Sequence, residues 1–173
     1  FRHRVQRIAR VLGQIALHAE QQALAGPIES QKESHRQENG EKAAAALDWA
    51  ALRDLPAGEL AELIRPAGYY NVKTRRLKHF VEWLWERHGG DLDNLEGIDT
   101  PSLREELLGV HGIGRETADS ILLYALDRPT FVVDAYTARI LRRHRMIDGE
   151  ADYESIKSLF EEHLDADLKL YNE

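Results

Sequence analysis

The chain has 173 residues, of which 43% are hydrophobic and 31% charged, a mix typical of soluble globular proteins and sufficient for one core or two small lobes. No apolar run reaches membrane-spanning length, no secretory signal is visible, and the absence of cysteine excludes disulfides and thiolate metal sites. The net charge of −7 argues against a protein that coats nucleic acid nonspecifically, but not against a local basic patch.

The N-terminal region divides into an apolar-periodic part and a polar part. Residues 1–24 predict an amphipathic helix, since apolar residues recur at helical spacing until Gly26-Pro27. Residues 31–42 contain no Ile, Leu, Val or aromatic residue, which favours an exposed helix, a linker or a disordered insert. We therefore interpret residues 1–46 as a helix followed by a polar linker or insert.

Residues 47–173 carry helical patterns along their whole length. Helix starts are indicated by capping residues, first-turn prolines or the onset of apolar periodicity near residues 49, 57, 71, 100, 115, 135 and 153. The helix after Gly114 is expected to run through Ala125. No alternating segment of useful length is present, so the predicted fold class is all-α, a compact helical bundle forming one domain over residues 47–173.

Two glycines one residue apart, Gly112 and Gly114, break one predicted helix and open the next. Glycine adopts positive φ at little cost, so a tight hairpin can bring its backbone close to another molecule. The helix that follows presents unpaired N–H groups and a positive dipole end, which suit a phosphate. Farther along, Asp134 ends an apolar run and precedes a helical pattern, which places a carboxylate at a helix N-terminus.

The hairpin and the later aspartate resemble the helix-hairpin-helix (HhH-GPD) DNA glycosylases of the endonuclease III superfamily. The family pattern L-P-G-I/V-G-x-x-T-A reads here Val110-His111-Gly112-Ile113-Gly114-Arg115-Glu116-Thr117-Ala118. An upstream segment, Gly68-Tyr69-Tyr70-Asn71-Val72-Lys73, is similar to the family's G-x-Y-N-x-K-A. The resemblance covers roughly residues 47–173, is greatest to the endonuclease III-type 3-methyladenine glycosylases, and implies an endonuclease III-like fold.

The resemblance implies base excision repair, in which a damaged nucleotide leaves the duplex and its N-glycosidic bond is hydrolysed in a pocket. Asp134 matches the family's catalytic carboxylate, which stabilises the cationic sugar, activates a water, or does both. Without the hairpin upstream, Asp134 would be better explained as a helix N-cap, and one aspartate can serve both roles. Position 116 holds Glu where bifunctional members carry the Schiff-base Lys, which implies a monofunctional enzyme without lyase activity. The expected substrate is an alkylated purine.

The resemblance also assigns contacts to DNA, at the hairpin, at two wedge positions and at two basic positions: Gly112, Ile113, Gly114, Arg115, Thr117, Tyr69, Tyr136, Lys73 and Arg139. The basic clusters around Lys73 and Arg139 are also typical of solvated helix faces. Trp49 and Tyr70 are candidate lesion-pocket aromatics, although each is explained as well by an ordinary core or surface position. The backbone carbonyls of Val110 and Ile113 would hold a monovalent cation, Na⁺ or K⁺.

Many relatives carry a four-cysteine iron–sulfur cluster, and without cysteine we expect none here, because this branch lacks it or because the chain stops before it. The expected partner is double-stranded DNA, in the cytoplasm and with the nucleoid in a prokaryote, with no membrane association. The sequence does not indicate an oligomeric state. Two alternatives stay open: a noncatalytic helix-hairpin-helix DNA-binding module, favoured by the polar 31–42 segment and the net charge, and a truncated glycosylase with an incomplete lesion pocket.

Overall fold

The computed structural model describes residues 49–65 and 69–172, and these ranges contain helices and no β-strand, so the all-α prediction is confirmed. The α-helices are α1 (Trp49–Asp54), α2 (Ala57–Leu63), α3 (Tyr70–His88), α4 (Thr100–Gly109), α5 (Arg115–Ser120), α6 (Ala135–Arg143), α7 (Tyr153–Glu161) and α8 (Leu168–Asn172). A 3₁₀ turn covers Leu92–Leu95 and a π-helical turn covers Ile121–Ala125. The helix and polar segment predicted for residues 1–46 lie outside the described residues.

Several of these helices begin at an aspartate that caps the N-terminus. Asp99, Asp134 and Asp152 each adopt extended backbone angles and accept a hydrogen bond from the backbone N–H three residues later. Such a cap satisfies one of the N–H groups that a helix leaves unpaired and contributes about 1 kcal/mol. The predicted starts near residues 100, 135 and 153 therefore hold.

The chain divides into two compact units, an N-terminal unit that ends at Ile113 and a C-terminal unit that begins at Gly114. In the N-terminal unit, α1, α2 and the 3₁₀ turn all pack against the long helix α3. Its fully buried apolar side chains come from every one of these elements and from α4: Leu52, Leu60, Phe80, Leu84, Leu95, Leu103 and Leu107. Burying each such side chain stabilises the fold by about 1.5–3 kcal/mol.

Lys78 on α3 caps the C-terminal end of α1. Its ammonium donates to the carbonyl of Leu52 at 2.7 Å and of Arg53 at 3.0 Å, and also to that of Leu55. These are carbonyls that a helix end leaves without intrahelical partners, and a positive charge there suits the helix dipole. Burial lowers the pKa of Lys78, and the nearby carboxylate of Asp54 opposes this effect. The sequence places Lys78 in a basic cluster, but the structure uses it to fasten α1 to α3.

The C-terminal unit contains α5, the π-helical turn and α6 to α8. The predicted single helix from Gly114 to Ala125 is wrong in detail, because α5 widens into the π-helical turn at Ile121. Buried Ile121, Leu122 and Leu123 anchor this turn, and α8 packs against it. None of the described helices combines the length and apolarity needed to cross a membrane.

A small second core lies under α6 and α7. Val133, Leu141 and Ile156 form its buried centre, and partly buried Phe131 and Phe160 pack against them. The rings of Phe131 and Phe160 stack with centroids 4.0 Å apart and planes at 9°. This core holds the extended residues that lead into Asp134.

Candidate functional site

The hairpin forms a tight turn after α4. The Val110 N–H donates to the Leu107 carbonyl at 3.1 Å, and the Ile113 N–H donates to the Val110 carbonyl at 3.0 Å. Val110 and Ile113 are buried, as expected of apolar residues that anchor a hairpin. The loop backbone at Gly112 is exposed, so its peptide groups are accessible to another molecule.

The structure requires glycine at only one of the two hairpin positions. Gly112 has φ +90°, a conformation that residues with a side chain rarely adopt, and a Cβ there would lie 2.6 Å from Cγ of Arg76. Gly114 has φ −94° and caps α5 in an extended conformation, and a Cβ added there would meet no atom within 4 Å. Only Gly112 is therefore demanded by the turn itself.

A histidine on α3 contacts the hairpin loop through a hydrogen bond and a ring contact. Nδ1 of His79 lies 3.1 Å from the carbonyl oxygen of His111, and the two rings meet edge to face at 4.9 Å. Because a carbonyl only accepts, Nδ1 of His79 carries the hydrogen in this contact. His111 stands where the family pattern has proline, and this contact fastens its peptide to α3. Sequence reasoning missed His79, which lies 32 residues away along the chain.

The predicted cation site would depend on backbone oxygens. The Val110 carbonyl already accepts the Ile113 N–H, which leaves it one lone pair for a cation. Within the described ranges, no group of three or more His, Cys, Asp or Glu side chains could hold a metal ion. The Na⁺ or K⁺ site at Val110 and Ile113 therefore stays a prediction.

Asp134 ends an extended segment and caps α6. Its Oδ1 accepts the Thr137 N–H at 2.6 Å and the Thr137 hydroxyl at 2.8 Å. The N-cap role that the sequence left open is thus present. Among the described residues, the hydrogen bonds seen at this carboxylate all end on Oδ1, so Oδ2 has capacity for a further partner. One carboxylate oxygen orients the group while the other is available for chemistry.

Tyr124, on the π-helical turn, is an electrostatic neighbour of Asp134 that sequence reasoning missed. It is half-buried, and burial raises its pKa, with the negative charge of Asp134 raising it further. The phenol therefore stays neutral at physiological pH and lies within electrostatic reach of the carboxylate. A π-helical turn rotates the residues that follow it relative to a regular helix, which apolar periodicity does not predict.

Tyr69, Tyr136 and Arg139 are predicted DNA contacts with exposed side chains. Tyr69 is 56% exposed at the start of α3, where its φ of +44° is unusual for a residue with a side chain. Tyr136 is 51% exposed on the first turn of α6, and the guanidinium of Arg139 lies 5.2 Å from its ring centroid. Aromatic and basic groups with this exposure can contact bases and phosphates.

Arg115 and Thr117, both on α5, differ in what they can offer to DNA. The Arg115 guanidinium is exposed and pairs with Glu154 at 3.2 Å. Such surface pairs contribute little, so a phosphate can replace the carboxylate. Thr117 is 5% exposed, so its side chain is not accessible to DNA, and a contact through that side chain is not supported.

Two further predictions need correction because the residues are buried. Lys73 is 1% exposed, so its ammonium does not lie on a surface that a phosphate can reach. Trp49 is 5% exposed, packs on Phe80 with ring centroids 5.6 Å apart, and its carbonyl accepts the indole N–H of Trp85. Trp49 is thus part of the core and not a lesion-pocket surface. Tyr70 is half-buried and keeps its place as a candidate.

These features define a helix-hairpin-helix protein in which a helix-capping aspartate follows the hairpin. The same fold occurs in solved structures of an endonuclease III–DNA complex and of the Helicobacter pylori 3-methyladenine DNA glycosylase MagIII bound to 1,N6-ethenoadenine. The TM-score is 0.65 for each, with 18% and 24% sequence identity. The similarity covers 90% of this chain and 65% of the first structure, and 94% of this chain and 78% of the second.

The sequence matches the HhH-GPD superfamily base excision DNA repair proteins over residues 29–166, and the chain belongs to this family. The match begins inside the region interpreted as N-terminal helix and linker. A Methanocaldococcus jannaschii protein, assigned by name to the DNA repair glycosylases, is 45% identical over 145 residues. The alignment covers 83% of this chain and 66% of that relative, just under two thirds of its length.

Proposed function

We propose that this chain is a DNA glycosylase domain that hydrolyses the N-glycosidic bond of a damaged base in double-stranded DNA. The observation that carries the proposal is the geometry of Asp134. Its Oδ1 is held by two hydrogen bonds from Thr137, and its Oδ2 has capacity for a further partner. Membership of a base excision repair family supports the assignment.

A fixed carboxylate suits this reaction. Departure of the base leaves positive charge on the deoxyribose, and a preoriented negative group stabilises that charge without having to reorganise. The same oxygen can orient or deprotonate the attacking water. The cap hydrogen bonds set the direction of the carboxylate, so Asp134 is both a helix cap and, in this proposal, the catalytic residue.

DNA binding is assigned to the hairpin and to exposed groups on α3, α5 and α6. The hairpin backbone at Gly112 and Gly114 and the guanidinium of Arg115 would contact phosphates, with a monovalent cation on the hairpin carbonyls assisting. Tyr69 and Tyr136 would insert into the duplex to hold the nucleotide outside the stack. This arrangement requires a duplex, because the wedges replace a base within paired DNA.

The reaction class follows from residue 116. Glu116 has a carboxylate where a lyase needs an amine, and a carboxylate forms no imine with the sugar. We therefore propose a monofunctional enzyme that leaves an intact strand with an abasic site. The proposed substrate is an alkylated purine such as 3-methyladenine, whose positive charge makes it a good leaving group, so that an aromatic pocket and one aspartate can release it.

Base release from methylating-agent-treated duplex DNA tests this proposal, with the wild type beside Asp134→Asn and strand cleavage scored before and after alkali. We expect release by the wild type alone and cleavage that requires alkali. Parallel duplexes with a deaminated base or an oxidised pyrimidine test the substrate class, and release from one of these but not from methylated DNA would refute the alkylpurine assignment.

Two other results would refute other parts of the proposed function. Strand cleavage without alkali would refute monofunctional chemistry. No release by the wild type from any duplex, together with intact and salt-sensitive duplex binding, would refute the glycosylase activity of this chain and favour either the noncatalytic DNA-binding module or a glycosylase with an incomplete lesion pocket.

A further inference from the structure

The four residues before Asp134, called here the 130–133 segment, belong to no helix or strand. Side chains of α7 make the hydrogen bonds to this backbone that a neighbouring strand would make in a sheet. The Phe131 N–H donates to Glu161 at 2.8 Å, and the Phe131 carbonyl accepts from the ammonium of Lys157 at 3.1 Å. The Val133 N–H donates to the Tyr153 hydroxyl oxygen at 3.4 Å. The backbone leading to Asp134 is therefore fastened to one helix by polar side chains.

The α7 residues that hold the segment are spaced four apart, at positions 153, 157 and 161, so they lie on one face of the helix, called here the α7 stripe. Lys157 pairs with Glu161 at 2.8 Å. The Thr130 hydroxyl joins the pair, since it donates to Glu161 at 3.1 Å and accepts from Lys157. Thr130 is thus hydrogen-bonded to the same α7 stripe as Phe131 and Val133.

The buried carboxylate of Asp119 contacts two residues of the α7 stripe. Asp119 on α5 is fully buried, accepts a hydrogen bond from the Tyr153 hydroxyl at 2.8 Å, and lies 3.4 Å from the Lys157 ammonium. A tyrosine hydroxyl has one hydrogen, and here Asp119 receives it. The lone pairs of the hydroxyl oxygen are then left to accept the Val133 N–H.

Resting on the proposed function, we propose that Tyr153 is a positioning residue for Asp134 and that Asp119 sets the direction of its hydroxyl. Val133 immediately precedes Asp134, so the bond from Tyr153 constrains the peptide from which the carboxylate projects. A buried ion pair such as Asp119–Lys157 adds little net stability compared with apolar residues of the same size. In this proposal the Asp119–Lys157 pair instead fixes the orientations of side chains on α7, namely those that hydrogen-bond the backbone of the 130–133 segment.

The test is Tyr153→Phe, which removes one hydroxyl and leaves the ring in place. The matched control is Tyr171→Phe. Tyr171 is 8% exposed and its ring packs edge-on against Phe131 at 5.7 Å, but among the described residues its hydroxyl makes no hydrogen bond to the 130–133 segment. Both variants lose the same atom from a ring that borders the segment.

In single-turnover base release, we expect Tyr153→Phe to be slower by about 10-fold to 100-fold, since small misplacements of a catalytic group have effects of this size. Its Kd for duplex DNA should match that of Tyr171→Phe, whose release rate should equal the wild-type rate. Its Tm should be lower, because buried Asp119 loses a donor, but the protein should stay folded at the assay temperature. An unchanged rate would overturn the proposal. So would a rate loss accompanied by an equal loss of folded protein or of duplex affinity.

A second measurement does not depend on activity. Amide hydrogen exchange of the full chain should show faster exchange at Val133 in Tyr153→Phe, while Phe131, held by Glu161, keeps its protection. Unchanged exchange at Val133 would refute the positioning network whatever the enzyme does. By contrast, a wild type that releases no base refutes the proposed function, so the two failures are distinguishable.

Discussion

Replacing Gly112 with alanine is expected to destabilise the chain substantially. The φ of +90° is strained for any residue with a side chain, which costs about 1–3 kcal/mol. The new Cβ would also lie 2.6 Å from Cγ of Arg76 and 3.4 Å from its Cδ, and such overpacking adds about 1–2 kcal/mol. The total of about 2–5 kcal/mol corresponds to a Tm lower by about 4–20 °C for a chain of this size.

Urea denaturation and thermal melting measure this effect, and two further variants separate its causes. Gly114→Ala is the matched control, because its φ is −94° and nothing lies within 4 Å of the added Cβ, so it should cost less than about 1 kcal/mol. Combining Gly112→Ala with Arg76→Ala removes the close contact and leaves the backbone strain. Gly112→Ala should therefore cost less stability when it is introduced into Arg76→Ala than when it is introduced into the wild type.

The reasoning would be refuted if Gly112→Ala cost no more than Gly114→Ala. Complete recovery in the double variant would show that the backbone angle is not strained and that the contact with Arg76 accounts for the whole effect. No recovery would show the reverse.

Four other predictions address single residues. Asp134→Asn should lower the pKa of Tyr124, because the negative charge of Asp134 opposes formation of the tyrosinate. Burial is the larger cause of the raised pKa, so the pKa should stay above its ordinary value. The tyrosinate absorbance, with that of Tyr124→Phe subtracted, measures this pKa, and an unchanged titration would contradict the prediction. Lys78→Met should cost about 1–3 kcal/mol in urea denaturation, because three carbonyls lose a charged donor; a cost below about 0.5 kcal/mol would argue against the capping role. Trp49→Ala should cost about 3–5 kcal/mol of stability and leave the rate per folded molecule unchanged; a rate loss at unchanged Tm would return Trp49 to the lesion pocket. Glu116→Lys should form an adduct with damaged duplex that borohydride traps, since an amine can form the imine; no adduct in an active variant would show that residue 116 does not reach the sugar.

Local features of this protein were readable from the sequence because they depend on neighbouring residues. An aspartate caps a helix through the N–H three residues later, as Asp134 does, and apolar periodicity marks the buried face of the same helix. The positive φ of Gly112 likewise follows from the turn that the two hairpin glycines make. The helical class, most helix starts and the position of the carboxylate were therefore predictable.

Side-chain roles that depend on distant partners were decided only by the tertiary structure. Lys73 and Lys78 look alike in the sequence, yet the first is buried and the second binds carbonyls 23 to 26 residues away. Trp49 could be pocket or core until the packing of α1 on α3 assigned it to the core.

The support of Asp134 shows the same division. The sequence determines the cap at the start of α6, since its donors come from Thr137 in the first turn. The hydrogen bond that holds the preceding peptide comes from Tyr153, 20 residues from Val133, and Tyr153 is in turn oriented by Asp119, 34 residues before it. Local backbone geometry follows from short-range sterics and capping, whereas long-range hydrogen bonds exist only after packing has brought α5, α7 and the 130–133 segment together.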